Sequence, residues 1–129
     1  MNIQQKIKHL LDPYDSSQTE CDGMIRICHT VLTSEGIEHQ PMMGVLIKDK
    51  QEVEPHFWID LSSGERIDYR ARMWLGKSDP AGISPRRARI PHGIFQPNDF
   101  PNVIYSGVPV ELELLSPVLL KIMTLSFNN

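Results

Sequence analysis

The chain has 129 residues, 40% of them hydrophobic and 22% charged, with a formal net charge of −3. That length fits one domain, residues 1–129, large enough to bury a core without a metal or disulfide staple. The mild negative charge gives no electrostatic reason to expect nucleic acid or an anionic membrane as a partner, and no apolar run approaches the roughly 20 residues that span a bilayer.

The first segment, "MNIQQKIKHLLDPYD", lacks the uninterrupted apolar core of a signal peptide, so the chain reads as cytosolic, with both cysteines as reduced thiols. Ile3, Ile7, Leu10 and Leu11 follow helical spacing, and Pro13 closes that helix. A polar loop, "DSSQTECDG", then runs into a second helix. Thr19 and Asp22 fit a capping box, which sets Cys21 at the second helical position. Met24, Ile27, Cys28, Val31 and Leu32 share one face of this helix, and Gly36 is its expected stop.

Two strands follow around the polar turn Lys48–Glu52, in "PMMGVLIKDKQEVEPHFWIDL". Ser62–Glu65 turns the chain into a third strand at residues 66–70. Core strands are thus expected near 42–48, 54–61 and 66–70, with the central helix packed on them. The fold class is α+β: helices on an antiparallel sheet. Residues 73–102 are rich in Pro and Gly and read as a long irregular segment. Within it, Arg86-Arg87-Ala88-Arg89 reads as a solvated basic loop. "VIYSGVPVELEL" reads as two short strands, and "SPVLLKIMTL" as a final helix with Pro in its first turn.

Chemistry points to one cysteine. A helix N-terminus stabilises a thiolate, which favours Cys21 as a nucleophile, whereas Cys28 lies among Met24, Ile27 and Val31 as core filler. Seven helical residues separate the two by about 10 Å, too far for a disulfide. His29 is further along the same helix and cannot serve Cys21. His56 is the candidate base, and as a residue at the rim of a cleft it is expected to carry little packing. Asp60 is roughly 13 Å along the strand from it. Asp68, on the partner strand, can come opposite His56 if the turn has odd length or a bulge, and the Ser62-Ser63-Gly64-Glu65 stretch is compatible with a three-residue loop carrying a glycine bulge.

Three further residues are candidates near such a site. Gln18 could supply a side-chain amide to an oxyanion, and an exposed loop position explains it equally well. Trp58 shares a face with His56 and could wall the site, although core packing is the more frequent role. His92, between Pro91 and Gly93 in "IPHGIF", could overhang the cleft on the substrate side. No paired C-x2-C or H-x3–5-H spacing suggests a metal, and no cofactor is implied.

From Cys21 to Asp68 the chain resembles the transglutaminase-like branch of the papain-like cysteine hydrolases. The residues that carry the resemblance are "CDGMIRICHTVLTSEGIEHQ", a cysteine opening a helix that ends in Gly-Ile, then "HFWIDL" and "RIDY". The resemblance implies a papain/transglutaminase-like core. It also implies Cys21 as nucleophile, His56 as general base and acid, and Asp68 as the residue that orients His56. Acyl transfer from an amide or thioester would follow, with a peptide or protein as substrate, hydrolysis as the first expectation and amine transfer as an alternative. A second reading is a non-catalytic binding module on the same scaffold. The family's Gly or Trp beside the cysteine is absent here, and Tyr69 stands where proline usually follows the aspartate.

Overall fold

The structure is a computed structural model that describes residues 2–17, 19, 21–75 and 90–125, without the side chains of Cys21 and residues 122–125. Gln18 and the basic cluster at 86–89 lie outside the described residues.

Helix α1 (Ile3–Leu11) opens with a capping box between Asn2 and Gln5 and runs into a short 3-10 turn, Asp12–Tyr14. Helix α2 (Cys21–Ser34) starts at Cys21 itself, one position later than expected. The expected Thr19–Asp22 box does not form. The Thr19 hydroxyl instead meets the Ser17 hydroxyl at 2.9 Å, and the Asp22 carboxylate accepts from the neighbouring Gly23 N–H. At the other end, Gly36 adopts φ 69°, and Ile37 N–H returns to the Leu32 carbonyl. Only a residue that tolerates the left-handed region can close the helix in this way.

Strands β1 (His39–Lys48) and β2 (Gln51–Leu61) form a hairpin across Asp49 and Lys50, tighter than the expected five-residue turn. Strand β3 (Arg66–Asp68) continues the meander, and the short helix α3 (Ala71–Leu75) follows. Strands β4 (Gly93–Phe95) and β5 (Val103–Pro109) then join opposite edges, giving the antiparallel order β4-β3-β2-β1-β5. Helix α4 (Pro117–Leu125) ends the described chain.

Two sequence expectations fail here. The segment from 73 to 102 is not wholly irregular, since α3 extends into it and β4 arises within it. "VIYSGVPVELEL" gives one strand, because the ladder stops at Pro41 of β1: its carbonyl accepts from Val110 N–H but it has no N–H to return, and among the described residues no strand follows.

One sheet face, through Ile59, Leu61 and Ile67, packs on Met24, Ile27 and Val31 of α2 and on Ile7 and Leu11 of α1. Strand alternation turns the intervening residues to the opposite face. There a second cluster of Leu46, Ala71, Leu75, Ile90 and Val103 covers the sheet, with Tyr105 packed against it. On that face β1 and β5 approach closely at Gly44 and Gly107. A Cβ on Gly44 would fall 2.1 Å from the Ser106 carbonyl oxygen, and one on Gly107 would fall 2.8 Å from the Trp58 ring. The absence of side chains there makes room for the indole. Among the described residues, no helix is long and apolar enough to cross a membrane.

Candidate active site

The loop between β2 and β3 decides which side chains meet. Leu61 N–H bonds the Glu65 carbonyl, so three residues, Ser62-Ser63-Gly64, make the connection, and Gly64 takes φ 106°. With Ile59 opposite Ile67, this odd count puts Asp68 on the same face as Trp58 and His56. His56 and Asp68 are diagonal neighbours.

They make direct contact. His56 Nε2 lies 2.6 Å from Asp68 Oδ2, with the side chains 0% and 1% exposed. The same oxygen accepts from the Tyr105 hydroxyl at 2.8 Å, and Oδ1 accepts from the Arg70 backbone N–H at 2.9 Å. A carboxylate held by those two donors has His56 Nε2–H as its third, which sets the ring's tautomer and orientation. Burial first, and then the Asp68 charge, push the Tyr105 phenol well above its ordinary range, so it remains a donor. His56 is therefore a core residue. The expectation that it would sit at a cleft rim and carry little packing is corrected by its zero exposure.

Trp58 walls the pair. Its ring stacks on His56 at 6.3 Å between centroids and meets Tyr105 edge-on at 5.0 Å. The Arg66 guanidinium caps this group, 4.7 Å from the Tyr105 ring centroid, while its Nε donates to Asp60. Asp60 is thus engaged away from His56.

Arg70 ties this pair to the start of α2. Just past β3, its buried guanidinium donates to the carbonyls of Thr19 at 2.7 Å, Ser17 at 3.0 Å and Asp15 at 3.2 Å, and to Asp15 Oδ1 at 2.8 Å. Its own N–H holds Asp68. One residue therefore clamps both the orienting carboxylate and the loop that delivers Cys21. The backbone of Cys21 is the first residue of α2; its side chain lies outside the described set. Cys28 lines an interstice of about 10 Å³ between α2 and the sheet, together with Trp58, Asp68 and Arg70. Burial pushes its thiol up to about 12, so it is an inert core cysteine.

His92 has its own setting. Its Nε2 lies 2.7 Å from Asp15 Oδ2, and its ring stands edge-on to Tyr69 at 5.4 Å. It lines a recess of about 210 Å³ with Lys8, Asp12, Asp15, Gly93 and Ile94, none of which belongs to the His56 pair. The expected overhang on the cleft is replaced by an indirect link, His92 to Asp15 to Arg70. Arg70 and Tyr105 are the members of the site that sequence reasoning missed. Arg70 had one available signal: two positions after Asp68, it continues the same strand parity. Tyr105 had none, because β5 pairing is long-range.

Asp15 yields a pH prediction. Burial alone would raise its carboxyl, but the hydrogen bonds and charges of His92 and Arg70 outweigh that and hold it below the usual carboxylate range. Its folded value is therefore lower than its unfolded one, and its contribution is complete above the unfolded value of about 3.9. That contribution is lost as pH falls through the folded value. Urea unfolding at a series of acidic pH values should show the wild type losing stability below about pH 4 more steeply than Asp15→Asn. Parallel curves would remove Asp15 from the acid response.

Compared with protein-family models, with curated proteins and with solved structures, the chain has no match in any of the three. Among the described residues, no group of three or more His, Cys, Asp or Glu is disposed to hold a metal ion.

Proposed function

We propose that this chain is a cysteine-dependent acyl-transfer enzyme with a papain/transglutaminase-like core, in which Cys21 is the nucleophile, His56 the base and acid, and Asp68 the orienting residue. The observation that carries the reading is the buried His56–Asp68 contact at 2.6 Å, its carboxylate steadied by Tyr105 and by the Arg70 N–H. With Nε2 committed to Asp68, proton exchange with a thiol falls to Nδ1. Cys21 opens a 14-residue helix, where backbone N–H groups and the dipole favour a thiolate. The thiolate attacks an amide or thioester carbonyl, His56 protonates the leaving group, and a thioester joins Cys21 to the acyl group. Water or an amine, deprotonated by His56, then releases it. The Cys21 N–H is the first donor available to the oxyanion, and Trp58 excludes water from the ion pair. The substrate class is a peptide or protein.

One observation favours the second reading, a binding module. His56 is fully buried, and the interstice between α2 and Asp68 measures only about 10 Å³.

Alkylation separates the two. An ordinary thiol with a pKa near 8.5 is less than about 1% ionised at pH 6. Brief iodoacetamide treatment of the native protein at pH 6, read by mass spectrometry, should label Cys21 and spare Cys28. Urea should expose Cys28 and erase the difference. Equal, slow labelling of both cysteines in the folded protein would leave the binding module as the better reading.

A further inference from the structure

A groove of about 420 Å³ opens beside the start of α2, and its lining has a consistent chemistry. Asp22, the residue after Cys21, forms one wall. Pro55 and Phe57, on either side of His56, form the floor with Glu52 and Glu54, and Trp74 of α3 closes the far side. The groove exists because β2 carries an extra residue there. Gly44 pairs with His56 and Leu46 with Val53, so β1 advances two positions while β2 advances three. Such a bulge bends the strand and pushes its side chains outward.

The three carboxylates are exposed, and none forms a salt bridge within the chain among the described residues. Phe57 and Trp74 are half-buried, so ring surface faces the same space. Carboxylates at the margin and aromatic faces behind them suit a group with an apolar stem and a cationic head. The volume falls within the range of small-ligand sites, roughly 300–1,000 Å³.

We infer that this groove takes the lysine or arginine side chain of a peptide substrate, seated beside the bond that Cys21 attacks. The inference rests on the acyl-transfer reading for its purpose; the recognition chemistry stands on the groove itself. The aliphatic stem lies along Phe57 and Pro55, and the charge meets Glu52, Glu54 and Asp22 in front of Trp74.

The test uses the native full chain, with acetyl-Gly-Arg-Gly-amide as probe and its citrulline counterpart as a neutral control of the same shape. Binding is followed by amide and indole N–H shifts. The arginine peptide should move the Trp74 indole signal and the amides of residues 52–57, and the citrulline peptide should not. Glu52→Gln with Glu54→Gln, both exposed, should weaken the arginine peptide about tenfold without altering the fold. Equal binding of both peptides, or an affinity unchanged in the double variant, would overturn the assignment. Absence of binding with Cys21 still selectively alkylated would sink the groove alone. Arginine-specific binding with an unreactive Cys21 would support the groove and count against the reaction.

Discussion

Replacing Arg70 by alanine should lower the folding free energy by about 3 kcal/mol, near the lower end of the range for removing one member of a buried ion pair. The lower end applies because its partner Asp15 is 33% exposed and water can take part of the lost interaction. The remaining loss comes from backbone. The carbonyls of Thr19, Ser17 and Tyr69 all accept from this one guanidinium, and without it the buried ones have no substitute donor. Lysine would restore the charge but not the planar fork that reaches Asp15, Ser17 and Thr19 together, so Arg70→Lys should recover less than half. Thermal and urea unfolding would read the difference, with Tm falling by roughly 10 °C for alanine. A loss under about 1 kcal/mol would mean that the 15–19 loop is held by something other than this clamp.

The second large effect concerns reactivity. His56→Gln should reduce turnover by about 10³-fold, within the range attributed to a positioned general base, and should slow the pH 6 alkylation of Cys21 by up to about 300-fold, the gap between a full thiolate and an ordinary thiol at that pH. Glutamine suits this experiment better than alanine. It keeps a donor near Asp68 and part of the buried volume, whereas His56→Ala would leave a cavity beside an orphaned carboxylate. Asp68→Asn should cost less in rate, since it disturbs orientation and not the proton acceptor itself. It should cost stability too: Asp68 accepts from His56, Tyr105 and the Arg70 N–H, and an amide nitrogen must face at least one of those donors. Unchanged alkylation in folded His56→Gln would detach His56 from the thiol.

What could be read from the sequence divides along the range of the interactions. Helices α1 and α2 were legible because Ile7, Leu11, Met24, Ile27 and Val31 record burial at helical spacing within a few residues. The meeting of His56 with Asp68 was legible because parity across a short loop is a local count. Strand β4 was not, since Gly93-Ile94-Phe95 lies in a Pro- and Gly-rich stretch and becomes a strand only by pairing with β3. "VELEL" misled for the converse reason: its alternation was real, but the ladder stops where β1 presents Pro41, which accepts from Val110 N–H and has no N–H to return. The Arg70 clamp joins residues 55 positions apart, and no local pattern announces such a contact.

The locked Nε2 of His56 has a kinetic consequence for the proposed reaction. A ring whose one nitrogen is held by Asp68 behind Trp58 and Tyr105 conducts protons through a single port. The same Nδ1 must deliver a proton to the departing group and later withdraw one from the incoming acceptor. Both therefore occupy one place in turn, and neither can be present while the other reacts. Double-displacement kinetics follow: the first product leaves before the acceptor enters, and lines of reciprocal rate against reciprocal substrate concentration run parallel. An excess of acceptor would then compete with the acyl donor for the unmodified enzyme, so the partition between hydrolysis and amine transfer becomes a contest for one small volume beside the imidazole.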